Sequence, residues 1–216
     1  MRAAVAVVLL AAAIPCQVMW VSLGSSLPIP GGFPSACLVR DTTGQLSTTG
    51  PLAVVAGGPA VIGLHRFSGS GWILVTTVGG SLSIPPGVGL GAAAFDSSRN
   101  RVVVWLPPSG STAGVTLETD GTYWSNASGS QSPGGDGPLA YDAARSRCVL
   151  VKGAETWTLN GAGWSRLNVV GTPPAGDGGA LAYNPQRGRV MLLRTAGFWE
   201  LDASLPADRT PSRPSW

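Results

Sequence analysis

At 216 residues, with 44% of them apolar and only 12% charged, the chain has ample surface to bury and is not a disordered protein. Its 31 glycines and 18 prolines argue against a mostly helical fold, because these two residues are the least favourable in a helix interior. The net charge of +3 comes from scattered arginines and one lysine, Lys152, so the basic patch of a nucleic-acid-binding protein is missing; a single histidine, His65, and three cysteines leave little for a metal centre, and no cofactor is expected.

The chain opens with one positive charge at Arg2, an apolar run from Ala3 to Ile14, and Pro15. This is the pattern of a signal peptide, read over residues 1–17. The run falls short of the roughly 20 apolar residues of a spanning helix, and Pro15, Gln17 and Ser22 interrupt its extension. Export with cleavage near Cys16 or Gln17 is expected, to the periplasm, cell surface or extracellular space, with an uncleaved anchor as the alternative. After cleavage no stable membrane span is expected. Cys37 and Cys148 then remain. They fall in different repeat copies, so two buried thiols are expected rather than a disulfide, despite an oxidising compartment.

Residues 18–204 carry a repeat. A first, weak copy runs from Ala36 to Gly58: Asp41 begins a turn, and Leu52 to Ala56 form an apolar run before Gly57-Gly58. The segment from Phe67 to Trp72 adds a second turn. The next copy, Ala92 to Val104, is clearer, and it recurs at Leu139 to Leu150 and at Leu181 to Leu192. Each copy reads apolar, aromatic, Asp or Asn, two residues, Arg-x-Arg, then an apolar run. An Asp or Asn side chain can hydrogen-bond the backbone two residues on, so the pattern predicts a strand, a turn and a returning strand. A second hairpin follows in each copy. Glu118 to Trp124 and Thr158 to Trp164 turn on Asp120-Gly121 and Asn160-Gly161, which are strong tight-turn signals. The last copy stops after Phe198 to Asp202 with no turn and no Trp, and residues 205–216 form a polar, proline-containing tail. Trp20 to Leu23, followed by Pro28 and Pro30, resembles Trp164 to Leu167 followed by Pro173 and Pro174. A strand near Val18 to Leu23 is therefore expected to pair with Phe198 to Asp202, clasping both chain ends into one unit and covering an edge.

Four short strands in every unit of roughly 40–50 residues indicate propeller blades. The aromatic-Asp turn, the Arg-led apolar strand, Gly57-Gly58 and the hairpin from Trp157 to Trp164 together resemble the kelch motif of β-propellers, including the bacterial secreted kind. The fold class expected is thus all-β, a β-propeller of about four kelch-like blades whose last blade is completed by the N-terminal strand; a fragment of a larger ring is the alternative. The double glycine is lost in the later copies, and kelch rings usually have more than four blades. The resemblance implies an exported, non-catalytic scaffold that binds a protein or a glycan. The alternatives are a structural cell-surface component or, further off, a carbohydrate-active propeller enzyme.

The residues offer few sites. Copper-radical oxidases share the kelch propeller but need a second imidazole, absent here beside His65. The segment from Thr119 to Trp124 resembles a sialidase-type Asp-box, with its glycine one residue too early. Trp72, Trp124 and Trp164 recur in register, which suits packing between blades. Trp105 is off-register, and sugar stacking and burial remain equally open for it. Arg99, Arg145 and Arg187 occupy equivalent turn positions, and Arg101, Arg147 and Arg189 begin the equivalent strands. A ring of guanidinium groups would suit carboxylates or sulfated sugar; pairing with the turn Asp is the structural alternative. The candidate binding residues are therefore Arg99, Arg145, Arg187 and Trp105.

Overall fold

The computed structural model describes residues 35–46, 51–57, 61–79, 82, 84, 90–110, 113–169, 171, 176 and 178–202. Among them lie fifteen β-strands and no helix, arranged as four antiparallel sheets in which each strand pairs with the next along the chain. The first sheet is β1 (Ser35–Val39), β2 (Leu52–Gly57), β3 (Val61–Phe67) and β4 (Trp72–Thr77). The second is β5 (Ala92–Asp96), β6 (Arg101–Leu106), β7 (Val115–Thr119) and β8 (Trp124–Asn126). The third is β9 (Leu139–Asp142), β10 (Arg147–Lys152), β11 (Glu155–Leu159) and β12 (Trp164–Leu167). The fourth has three strands, β13 (Ala180–Asn184), β14 (Arg189–Arg194) and β15 (Gly197–Leu201).

Turn chemistry sets this register. Asp96 Oδ1 accepts from the N–H groups of Ser98 and Arg99 at 3.0 and 3.2 Å, and Asn184 Oδ1 accepts from Gln186 and Arg187 at 3.0 and 3.2 Å. Each of these loops closes on a residue of positive φ just before the returning strand: Asn100 at 53°, Ser146 at 50° and Gly188 at 62°. The left-handed region tolerates Asn and favours Gly, but strains Ser. In the second hairpins Asp120 accepts from Thr122 and Tyr123, and the adjoining Gly121 and Gly161 take φ of 89° and 90°. The copies inferred from the Asp-Arg pattern are thus the same local structure three times over.

The sheets stack in chain order with the first strand of each innermost: β1 lies against β5, β5 against β9, and β9 against β13. Alternation along the strands sends one set of side chains to each neighbour. Leu52, Val54 and Leu64 of the first sheet meet Val102, Val104 and Leu117 of the second. Val103 and Trp105, on the second sheet's other face, meet Tyr141, Leu150 and Leu159 of the third. Ala140, Val149 and Val151 then meet Val190 and Leu192 of the fourth. Burying each Leu or Val contributes about 1.5–3 kcal/mol before ordering entropy is set against it. Trp124 packs into the first of these cores and Trp164 into the second, where its indole N–H donates to Thr116 Oγ1 of the preceding sheet at 2.6 Å.

Among the described residues no such core joins the fourth sheet to the first. The described sheets follow one another as the expected four antiparallel blades. The N-terminal strand near Val18 to Leu23, and with it the clasp, lies outside the described residues, as do the signal segment 1–17 and the tail 205–216. Cys37 on β1 and Cys148 on β10 are both free thiols in separate sheets. Burial pushes the Cys148 thiol far above its ordinary value.

Candidate functional site

The innermost strands begin at one end of the stack and turn at the other, so the repeat builds two distinct rims. At the beginning, Gly91 precedes β5, Gly137-Pro138 precedes β9, and Gly178-Gly179 precedes β13. These segments, with Gly135, Asp136 and Lys152, line a cleft of about 370 Å³. Glycine is a steric requirement there. A side chain at Gly137 would collide with the Val151 carbonyl, and one at Gly91 would sit 2.8 Å from both Asp136 Oδ1 and Pro107 Cδ. Neighbouring strands hold the rim in place. The N–H of Gly91 donates to the Trp105 carbonyl at 3.1 Å, and the N–H of Val151 donates to the Pro138 carbonyl at 3.2 Å.

Two charged side chains face this cleft. Asp136 is exposed and accepts from the Gly137 N–H at 2.8 Å. Lys152 ends β10, half-buried, with its ammonium 3.9 Å from Glu155. The Cys37 thiol, 3.8 Å from the Gly91 carbonyl, lies behind the same rim; burial raises its ionisation range, the Ala93 backbone opposes that, and the Asp136 charge adds to the rise. A carboxylate, an ammonium and close-set backbone amides can hydrogen-bond a neutral polar group, such as a sugar diol or a peptide unit.

The opposite rim holds the arginines. Arg99 donates to Asp96 at 2.6 Å and makes a bidentate pair with Glu118 at 2.7 and 2.9 Å. Desolvation of Asp96 works against its charge, but bonds from Arg99, Ser98 and Tyr141 outweigh it and hold its carboxyl below the usual range. Desolvation likewise opposes the Arg99 charge, and its two carboxylates more than restore it. Arg187 repeats the pair with Glu200 at 2.7 Å. In the third sheet Thr158 occupies the register position of Glu118 and Glu200. Arg145 instead contacts Asp142 at 3.3 Å and donates to the Gly188 carbonyl of the next sheet at 3.1 Å. The three guanidinium groups thus stand at equivalent positions, each engaged within its own sheet or with the next one. Trp105 is fully buried, and its indole N–H donates to the Gly135 carbonyl at 3.1 Å. The ring presents no face for a sugar, which corrects its candidacy as a stacking platform; it anchors the cleft rim from beneath.

His65 sits buried in β3, and burial lowers its ionisation range, with the Gly63 backbone opposing. Among the described residues no cluster of three metal-ligating side chains occurs, and no helix is long and apolar enough to cross a membrane. Sequence reasoning missed Asp136, Lys152 and the glycines. Their signal was present: Gly91, Gly137 and Gly179 each stand four residues ahead of the aromatic of their copy, Phe95, Tyr141 and Tyr183.

No family model matches the chain, and no curated protein matches it. Among solved structures it is similar to a gluconolactonase from Xanthomonas campestris, at 15% identity and a TM-score of 0.44, over 67% of this chain and 46% of that one. It is also similar to a chain of a nidogen/laminin complex, at 15% identity and a TM-score of 0.39, over 74% and 59%. The chain therefore spans about half the length of these structures. The blade arrangement stands on this chain's own sheet order.

Proposed function

We propose that this chain is an exported, kelch-like, non-catalytic scaffold that binds a protein or glycan partner at the glycine-lined cleft. The observation that carries this reading is the convergence of three innermost strands on one rim, where bare backbone stands beside Asp136 and Lys152. Partner groups can approach backbone there because side chains are excluded, and the two opposite charges suit polar, near-neutral groups better than a strong anion. The arginine turns take a structural role in this reading, since Arg99, Arg145 and Arg187 already hold carboxylates or carbonyls. Export rests on the opening segment from Met1 to Pro15, and the kelch affinity on the aromatic-Asp and Arg-led pattern.

The test is a glycan array and a protein pull-down with the secreted form, run beside Asp136→Ala and Lys152→Ala. A partner retained by the wild type and weakened about tenfold or more by either substitution supports the cleft. Capture that both variants preserve places the binding surface elsewhere and overturns it.

A further inference from the structure

We infer that Asn160 is a self-modification site: the Gly161 backbone nitrogen attacks its side-chain amide, which leaves an aspartyl or isoaspartyl residue in the turn between β11 and β12.

The second and third sheets build this turn from matching residues, Thr119-Asp120-Gly121 and Leu159-Asn160-Gly161. The fold demands the glycine. Gly121 and Gly161 take φ of 89° and 90°, which side-chain-bearing residues avoid. The Arg99 side chain also lies over Gly161, so that a β-carbon there would stand 3.1 Å from its Nη1. The position before the glycine needs only a side-chain oxygen that accepts from the backbone two residues on, and Asp and Asn each supply one. Asp120 accepts from the Thr122 N–H at 2.9 Å, and Asn160 from the Ala162 N–H at 3.3 Å. The third sheet thus carries an amide directly before an obligatory glycine. No other asparagine stands so: Asn100, Asn126, Asn168 and Asn184 precede Arg101, Ala127, Val169 and Pro185. A side chain on the following residue crowds the five-membered ring that the attack must close, and proline has no N–H to lose.

Two features of the third sheet's turn favour the reaction. In the second sheet the Gly121 N–H donates to Thr119 Oγ1 at 3.1 Å, which restrains the nitrogen. Leu159 stands in place of Thr119 and has no acceptor, so the Gly161 nitrogen lacks that restraint. The Ala162 N–H also points at Asn160 Oδ1, the oxygen on which negative charge gathers as the nitrogen adds to Cγ. Asn160, Gly161 and Ala162 are all exposed, so water and hydroxide reach them. Hydroxide takes the Gly161 N–H proton, the N–Cγ bond forms, the Cγ–Nδ2 bond breaks, and Nδ2 leaves as ammonia with a proton from water. The resulting succinimide is opened by water at either carbonyl. One opening gives aspartate; the other gives isoaspartate, with a methylene added to the main chain. The net change is amide plus water to carboxylate plus ammonium. The aspartyl product suits the fold, because Asp120 already occupies the equivalent position. It lowers the net charge of +3 by one and places the new carboxylate in the turn on which Arg99 rests.

The experiment is ageing of the full chain at pH 7 and pH 9, followed by peptide mass spectrometry and an isoaspartyl assay. The expected result is a gain of about 1 Da at Asn160, faster at the higher pH, with isoaspartate present. Asn126 is also exposed and is followed by Ala127; Asn160 is expected to react about tenfold faster or more. Leu159→Thr supplies the missing hydroxyl and slows the loss, while Leu159→Val, of the same shape without the hydroxyl, does not. Circular dichroism verifies that both variants fold; if either does not, the comparison of Asn160 with Asn126 in the wild type decides alone. An Asn160 that keeps its amide as long as Asn126 does, or equal rates in the two folded Leu159 variants, would overturn the inference.

Discussion

The second and fourth sheets begin from nearly the same sequence and end in different surroundings. Arg99 lies between Asp96 and Glu118 with its side chain 29% exposed and both carboxylates buried; Arg187 makes the same pair with Glu200 at 56% exposure. Trp105 and Leu193 diverge in the same way. The repeat dictates the bonds within a sheet, and the following sheet dictates how dry those bonds are. Tyr141 of the third sheet closes over the Asp96 turn, its hydroxyl 3.3 Å from the Ser98 nitrogen, and a counterpart for the Asn184 turn would come only from a further sheet. A fixed set of ion pairs is therefore worth more in the interior of the run than at its end.

That contrast is sharpest for a large side chain. Trp105→Ala is expected to lose about 3–5 kcal/mol of unfolding free energy by chemical denaturation, while Leu193→Ala changes it by less than about 0.5 kcal/mol. Equal losses would mean that the fourth sheet is covered after all. Next comes the arginine pair. Arg99→Ala strands two buried carboxylates and is expected to cost about 2–4 kcal/mol, where Arg187→Ala costs about 0–1 kcal/mol. A double-mutant cycle with Glu118→Gln and with Glu200→Gln measures both couplings directly.

Acid should separate the two turns further. The folded Asp96 carboxyl ionises below its unfolded counterpart. The stability it adds is therefore complete above the unfolded value near 4 and is lost as pH falls through the folded value. Denaturation midpoints followed from neutral to about pH 3 are expected to fall less steeply in Asp96→Asn than in the wild type; identical slopes would remove Asp96 from the acid response. The smallest effect concerns the loop residue of positive φ. Ser146→Gly relieves a left-handed serine and is expected to add about 1 kcal/mol, whereas Gly188→Ser introduces the same strain into the fourth sheet. A thermal melt reads both.

Much of the blade structure was legible because turn chemistry is local. Asp96, Asp142 and Asn184 announce their loops, and Asp120-Gly121 and Asn160-Gly161 announce the tight hairpins, through bonds spanning two or three residues. The arginine partners were not legible. Glu118 reaches Arg99 from the third strand of the sheet, a neighbour defined by register rather than by sequence distance. The substitution of Thr158 at the same register position is invisible without that pairing, and it redirects Arg145 toward Gly188. The cleft is less legible for another reason: the clearest signal of the repeat begins at its aromatic residue, while the glycines that define the rim lie just ahead of it. Trp105 looked off-register because its equivalents, Val151 and Leu193, are aliphatic, so only the fold reveals that all three stand at one position.

The indole of Trp105, sealed from water yet tethered to the Gly135 carbonyl, gives the molecule an intrinsic optical probe directly under its cleft. A dry indole emits toward the blue, and any guest that tugs Gly135 outward loosens that tether and alters the emitted light. Titrating candidate guests against fluorescence, with Trp105→Phe as the control that subtracts the emission of the other seven tryptophans, would detect occupancy with no label attached.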